Sequence, residues 1–448
     1  MDVVTHALLG AALARATTTR RSRLAVRERV LLGAAAAAFP DVDFIGFLID
    51  PLRFLADWHQ GPTHSLVLLP LWAALIAAVF VRLTGRRDAF AEAAGVSALA
   101  LGSHIAADLV TAYGTAALQP LSPARWSLGT TFVIDPLFSG IVLVGLALAL
   151  RSGRRAPVVA SLALLGLYVG GLAALQQRAV EVGRASLEAA GFEAGGVVAL
   201  AQPFSPFNWK LVAVDGEDRR VAHVNLAGHA PLIGPWPGLR RLHAVAAAYA
   251  PPPQLAWQFR PRLGEGAAAR ALAEPLWREP RFEPFRRFAV HPALSRIDEE
   301  GARTCVWFTD LRYDLPAMPD TFRYGFCRAG ADAPWELYRL RYFSDRSAQR
   351  LQCCRRFGAA RKAAKRRSRA LRDGRRLGRV DARAPDQRVV GRSDTARRLG
   401  TRSRRRSAGH FFPGDRPPPR AGAGLLRSLR PKAGRGSWGT GRSARRGR

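Results

Sequence analysis

Five apolar stretches packed into 150 residues constrain this chain more than any other feature. Residues 30–49, 66–83, 93–110, 132–150 and 157–175 approach or reach the roughly 20 apolar residues that a helix needs to cross a bilayer. One such run could be the buried core helix of a soluble protein, but five joined by short loops read as spans. A shorter hydrophobic helix precedes them. Its apolar part, residues 3–14, comes before the basic cluster at 15–29, the reverse of a cleavable signal peptide, so the segment is expected to stay attached.

Arginine placement sets the expected orientation. The clusters at 15–29, 82–87 and 151–155 belong on the cytoplasmic side. Loops 51–65 and 111–131, and everything beyond residue 175, then fall outside.

From about residue 181 to 343 the composition turns soluble. Alternating, aromatic-rich runs at 195–200, 209–214, 221–226, 305–313, 322–327 and 336–343 read as strands of a mainly antiparallel sheet, with 314–320 a Pro-containing connection. Trp209, Trp236, Trp307, Phe308, Tyr313 and Trp335 suit core and interface packing there. His223, His229, His243 and His291 show no ligand spacing. Cys305 and Cys327 can pair if they lie on neighbouring strands outside the cytosol, whereas the adjacent Cys353 and Cys354 suit no zinc or disulfide framework.

The formal net charge of +34 belongs almost wholly to the C-terminal end. Residues 346–448 hold 33 Lys and Arg against 5 Asp, leaving a net of +6 for everything before them. Residues 344–448 are Arg, Gly, Ala, Ser and Pro with almost no aliphatic periodicity, the composition of a disordered tail. Two origins compete: a basic tail for anionic lipid or nucleic acid, or an out-of-frame reading of a GC-rich gene. The second is favoured, because a polybasic tail beyond an outward-facing domain misses the anionic cytoplasmic leaflet. No nucleic-acid partner is inferred from it. The expected fold is thus a mainly α-helical multi-pass membrane domain (1–180), a soluble β-rich (α+β) domain (181–343) and a disordered basic tail (344–448).

The candidate chemistry sits in the first part. Asp41 and Asp43, in FPDVDF, interrupt an apolar span where each charge costs on the order of 3 kcal/mol, so something must compensate them. Pro40 breaks the helix there, and an unwound segment can aim both carboxylates at one cation. His104 and Asp108 stand four apart in SHIAADLVTAYG, one turn apart on a shared helix face, which suits Zn²⁺, Mn²⁺ or Fe²⁺. His59 and His64 flank a Gly-Pro turn in DWHQGPTHSL. With His6 of the N-terminal helix and Asp135 of FVIDPLF, all converge near the outer interface under the arginine-set topology. Such imidazoles and carboxylates repel or stay protonated without a cation, and one or two divalent metals would stabilise the set. Ser65 and Ser103 do not read as nucleophiles, because residues adjacent to a histidine do not face it on a helix.

The segments MDVVTHALLG, FPDVDF, HQGPTHS and HIAADLVTAYG, followed by Pro120 and Asp135-Pro136, resemble the bacterial membrane-bound metal-dependent hydrolase family (YdjM-like). The resemblance covers residues 1–175 closely and extends more loosely to about 343. It implies a multi-pass protein of the bacterial inner membrane with His6, Asp41, Asp43, His64, His104 and Asp108 as metal ligands and His59 as a weaker member. Gln60 departs from the pattern, since a basic residue is expected after the histidine.

The function expected is hydrolysis through a metal-bound hydroxide, with Asp41 or Asp43 as general base and zinc as the first-choice ion. The substrate class is a phosphoester or acyl ester of a lipid, or another envelope compound, with membrane lipids as partners. A transporter, or a non-catalytic metal-binding membrane protein, is the alternative.

Overall fold

The computed structural model describes residues 1–351 apart from 193, 194, 232, 343 and 345. The expected tail beyond residue 351 lies outside the described residues. The boundary drawn at 344 differs from the structure by a short strand, because Ala348–Arg350 still pairs with its neighbour.

The membrane region contains α1 (Val3–Ala16), α2 (Val26–Ala38), α3 (Ile45–Ile49), α4 (Pro51–Arg53), α5 (Leu69–Thr84), α6 (Phe90–Leu109), α7 (Pro136–Ser152) and α8 (Ala156–Ala189). Three helical stretches, Val26–Ile49, Arg87–Leu109 and Ala156–Ala189, are long and apolar enough to span a membrane. The pair Pro51–His64 and Leu69–Thr84 makes a fourth span if its 71° bend is counted as one broken span. The span expected at 132–150 is shorter, because residues up to Asp135 belong to a loop and Asp135 itself caps α7. Pro40 has the local effect anticipated: α2 stops at Ala38 and Phe39–Phe44 continues as a 3₁₀ turn.

The basic loops gather at one end of this bundle. Arg15 donates to the carbonyls of Ala149 and Gly153, Arg29 pairs with Glu92, and Arg86 pairs with Glu28. The loops carrying the histidines meet the β-rich region at the other end. Helix α1 approaches α2 backbone to backbone at Gly10 and Gly33. A Cβ on either would land on the other's carbonyl oxygen, so only glycine permits this contact, one turn from His6.

The 34 residues of α8 run for about 50 Å at 1.5 Å per residue, longer than a bilayer core. Its far half leaves the bundle and packs Ala179 and Leu187 against Trp209 and Leu211. Those belong to an antiparallel sheet of β1 (Gly196–Ala201), β2 (Asn208–Asp215), β3 (Asp218–Asn225) and β4 (Gln258–Arg260), in that order. Helix α9 (Arg240–Ala246) leads to Ala250, which bridges to Val224 of β3, whereas α10 (Gly266–Arg278) and α11 (Glu283–Phe288) pack on a second antiparallel meander. Its strands are β5 (Pro292–Glu300), β6 (Arg303–Asp310), β7 (Tyr324–Arg328), β8 (Glu336–Leu340) and β9 (Ala348–Arg350). Cys305 and Cys327 face each other across β6 and β7 and form a disulfide.

The two regions share a core. Leu52, Phe54 and Leu55, from the segment that follows the span Val26–Ile49, are buried with Phe282, Phe285, Phe308 and Phe326 of the β-rich region. Of the tryptophans expected in packing, Trp209 and Trp307 are buried, but Trp236 is 70% exposed.

Candidate metal centre

Five side chains from four segments converge at the loop end of the bundle. α1 brings His6, the 3₁₀ turn brings Asp41, the Gly-Pro turn brings His64, and α6 brings His104 and Asp108. All except Asp41 are buried to 0–1% exposure, which matters because few groups are costlier to desolvate. Nε2 of His6 and Nε2 of His104 each lie 3.2 Å from an oxygen of Asp108, and Nε2 of His64 lies 3.3 Å from its Oδ2. Asp41 Oδ1 stands 3.8 Å from His64 Nε2 and 3.9 Å from His104 Nε2. The rings of His6 and His104 stack at 3.6 Å. Two overlapping groups emerge, His6, His104 and Asp108, and Asp41, His64 and His104, with ligand atoms within 4.8 Å of one another in each. The Met1 amino group also donates to Asp108 Oδ1.

The hydrogen bonds around the cluster aim it inward. The carbonyl of Ala37 lies 2.6 Å from His104 Nδ1, so that nitrogen carries the proton and Nε2 offers a lone pair to the centre. Thr63 Oγ1 lies 3.0 Å from His64 Nδ1. At the centre itself the bonding stops. His6 Nε2, His64 Nε2, His104 Nε2, Asp41 Oδ2 and Asp108 Oδ2 are buried with no hydrogen-bond partner, as is His6 Nδ1. Buried polar atoms in a folded protein are nearly always satisfied. Imidazole nitrogens and carboxylate oxygens left facing one another fit a divalent cation.

Asp43 departs from its expected role. On the 3₁₀ turn the side chains of Asp41 and Asp43 diverge instead of meeting at one cation. Asp43 accepts from the Gln60 N–H at 3.1 Å, approaches His59 Nδ1 at 3.2 Å, and lies 3.7 Å from His64 Nδ1. It supports the histidine turn from behind and stands outside both candidate groups. His59 is held by Asp43 among Phe44, Phe54 and Tyr113, and its ring meets that of His64 edge-on. Gln60 takes a left-handed φ of 52°, strained for a residue with a Cβ, and is pinned by Asp43, Thr115 and Ala116. The basic side chain expected near this histidine comes from elsewhere in the fold: Arg125 donates to the carbonyls of Ala56, His59 and Gly114.

Asp135 is not brought into the cluster. It caps α7 through the N–H groups of Leu137 and Phe138 and accepts from the Tyr168 hydroxyl at 2.8 Å. Arg312 of the β-rich region, by contrast, reaches the loop after α6. It donates to the carbonyls of Ala112 and Tyr113, and the Tyr113 ring packs on His59. Burial pushes the Tyr113 hydroxyl well above its usual range, so it stays a donor, to Leu55 O at 2.7 Å. Nothing in the local sequence marks Arg125 or Arg312, whose targets lie up to 200 residues away.

Residues 1–179 match the family described as YdjM inner membrane protein. The chain is also similar to the uncharacterized protein YfhP of Bacillus subtilis (strain 168), 28% identical over 174 residues, which is 38% of this chain and 52% of YfhP. It thus spans about half the length of that curated relative. No solved structure matches.

Proposed function

We propose that this chain, whose first 179 residues match the family described as YdjM inner membrane protein, is a metal-dependent hydrolase working at the outer face of the membrane on a phosphoester or acyl ester of a lipid or envelope compound. One observation carries the reading: the buried imidazole and carboxylate atoms that converge from four segments and face one another without a hydrogen-bond partner. A structural role alone gives no reason for that expense.

His6, His104 and Asp108 would hold one divalent cation, and Asp41, His64 and His104 would offer a second, overlapping position. Zn²⁺ suits these donors best, with Mn²⁺ or Fe²⁺ tolerated. When bound, the ion supplies Lewis-acid polarisation of the substrate oxygen and acidifies water. We assign proton acceptance to Asp41, whose Oδ2 is buried and unengaged. Asp43 is a positioning residue for His59 and His64, and Ala37 fixes the tautomer of His104.

Two observations support the outward side. The basic loops cluster at the opposite end of the bundle, as the positive-inside rule requires of a cytoplasmic face. The Cys305–Cys327 disulfide suits an oxidising compartment. The transporter reading draws on the 71° break beside His64, since broken spans also line ion paths.

The test is metal analysis of the full-length protein and of His104→Ala and Asp41→Ala variants, with assays on phosphodiester and lipid ester substrates. We expect bound metal and turnover in wild type and loss of both in the variants. Equal metal in all three defeats the site, whereas metal-dependent flux across vesicles without ester cleavage favours transport.

A further inference from the structure

A cavity of about 320 Å³ lies where the start of α7, the middle of α8 and the turn between β1 and β2 meet. Its walls are aromatic and aliphatic, with Tyr168, Phe204 and Trp209 among them. The polar residues of the wall are engaged elsewhere. Asp135 caps α7, Asn208 bonds Pro203 O and Asn225, and Ser205 bonds the Phe207 N–H. Among the described wall residues one buried polar atom lacks a partner, the Trp209 Nε1 donor. Phe204 holds its place at a left-handed φ of 72°, which a residue with a Cβ adopts at a cost. An apolar space whose side-chain polar atoms are mostly engaged elsewhere suits a hydrocarbon chain, and its volume reaches the range of small-molecule sites.

Position narrows the occupant further. Ile134 and Leu137 line the cavity and are also 60% and 53% exposed, so they form its rim. On α8 the exposed Leu164 and Leu167 continue that apolar surface outward from Tyr168. The rim therefore opens onto the face that the spans present to lipid. Ile233 closes another side, and its segment goes on to the exposed Trp236 and to Arg240 and Arg241, the residue types that settle among headgroups. The metal centre is near: Thr5, next to His6, lies 2.6 Å by its hydroxyl from Ser139, one turn along α7 from Asp135.

We propose that this cavity takes up one acyl chain of a membrane lipid, laterally from the bilayer, and so presents a lipid to the metal centre. Presentation of the lipid as a substrate rests on the hydrolase reading, whereas the binding of the chain does not.

The experiment uses the full chain in nanodiscs containing phosphatidylglycerol with a diazirine midway along one acyl chain. After irradiation, labelled residues are mapped by mass spectrometry. Label is expected on Trp209, which is fully buried in the wall, on Phe204 beside it, and on bilayer-facing residues such as Leu71. Ile134→Trp and Leu137→Trp put bulk at exposed rim positions, where folding is not at stake. They should cut cavity labelling about tenfold and leave Leu71 unchanged. Label confined to bilayer-facing residues, or cavity label equal in wild type and both variants, overturns the proposal. His104→Ala should keep the cavity label. Cavity labelling without any ester cleavage by wild type therefore counts against the hydrolase alone.

Discussion

Two buried charged clusters lie within this fold and are built on opposite principles. In the β-rich region Asp310 accepts from the N–H groups of Val290, His291 and Arg312. The Arg312 guanidinium answers with bonds to Asp310, Ala112 O, Tyr113 O and Phe288 O. Nearby, the Lys210 ammonium finds Leu311 O, Asp314 O and the Asp314 carboxylate. No buried nitrogen or oxygen of these four side chains lacks a partner. In the membrane region the same kinds of groups, buried except for the partly exposed Asp41, face one another with six buried atoms lacking a hydrogen-bond partner. A saturated network needs nothing more, whereas an unsaturated one made of imidazole and carboxylate atoms is what the proposed cation would complete as a receptor.

The sharpest way to break this contrast is to remove the saturating cation. Arg312→Met leaves Asp310 buried and unpaired, which should cost about 3–5 kcal/mol. Because Arg312 also holds the loop of Tyr113 against His59, the metal centre should loosen with it. Thermal unfolding in detergent together with metal content checks both. A stable variant with full metal would mean that the β-rich region is not a brace for the site.

Proton uptake comes next. Burial pushes His291 and His223 down to about 4, below the 6.5 of an exposed histidine. Both are therefore neutral in the fold. Their contribution is intact above pH 6.5 and is lost as pH falls from there through about 4, on the order of 2 kcal/mol for each at pH 5. Hydrogen exchange of β6 and β7 amides between pH 4.5 and 7.5 should show the loss. A His223→Phe, His291→Phe variant should flatten it.

How much of this was legible depended on distance along the chain. Three of the five expected spans follow from length and apolarity, a fourth only as half of a bent pair, and the stretch at 132–150 is a shorter helix; β1, β2, β3, β6, β7 and β8 follow from alternation. Strand β5 was not readable, because PALSRIDEE is half charged and its register shifts between Leu294 and Arg296. β4 and β9, three residues each, are too short for any period. In the site, His6, Asp41, His64, His104 and Asp108 stood out as charge and imidazole in apolar surroundings, and the fold brings them together. The divergence of Asp43 was hidden because it depends on the turn that Pro40 imposes and on a partner, the Gln60 N–H, that carries no side-chain signal. The shared core around Phe54 was hidden too, since residues 51–58 read as a loop between spans.

The position of Asp43 yields a third expectation, on the scale of a supporting contact. Asp43→Asn keeps the shape but weakens the hold on His59 and His64. Metal affinity should fall about 10–100-fold, as is usual when a ligand loses its orienting partner. Titration with a competing chelator measures it. An unchanged affinity would demote Asp43 to a local prop of the Gln60 turn.

The smallest expected effect tests the comparison most directly. Asp41 makes only long contacts, its Oδ1 lying 3.8 Å from His64 Nε2 and its Oδ2 having no hydrogen-bond partner. Asp41→Asn is nearly isosteric, so in chelator-treated protein it should shift stability by no more than about 0.5 kcal/mol. With metal added, wild type should gain stability according to how far the ion exceeds its dissociation constant, and the variant should gain much less. The same swap at Asp310, in the saturated network, should destabilise the protein whether or not metal is present, because bonds are lost there that no ion replaces. If Asp41→Asn instead destabilises the metal-free protein as Asp310→Asn does, the unsatisfied atoms are already paired in solution, and the distinction between receptor and brace fails.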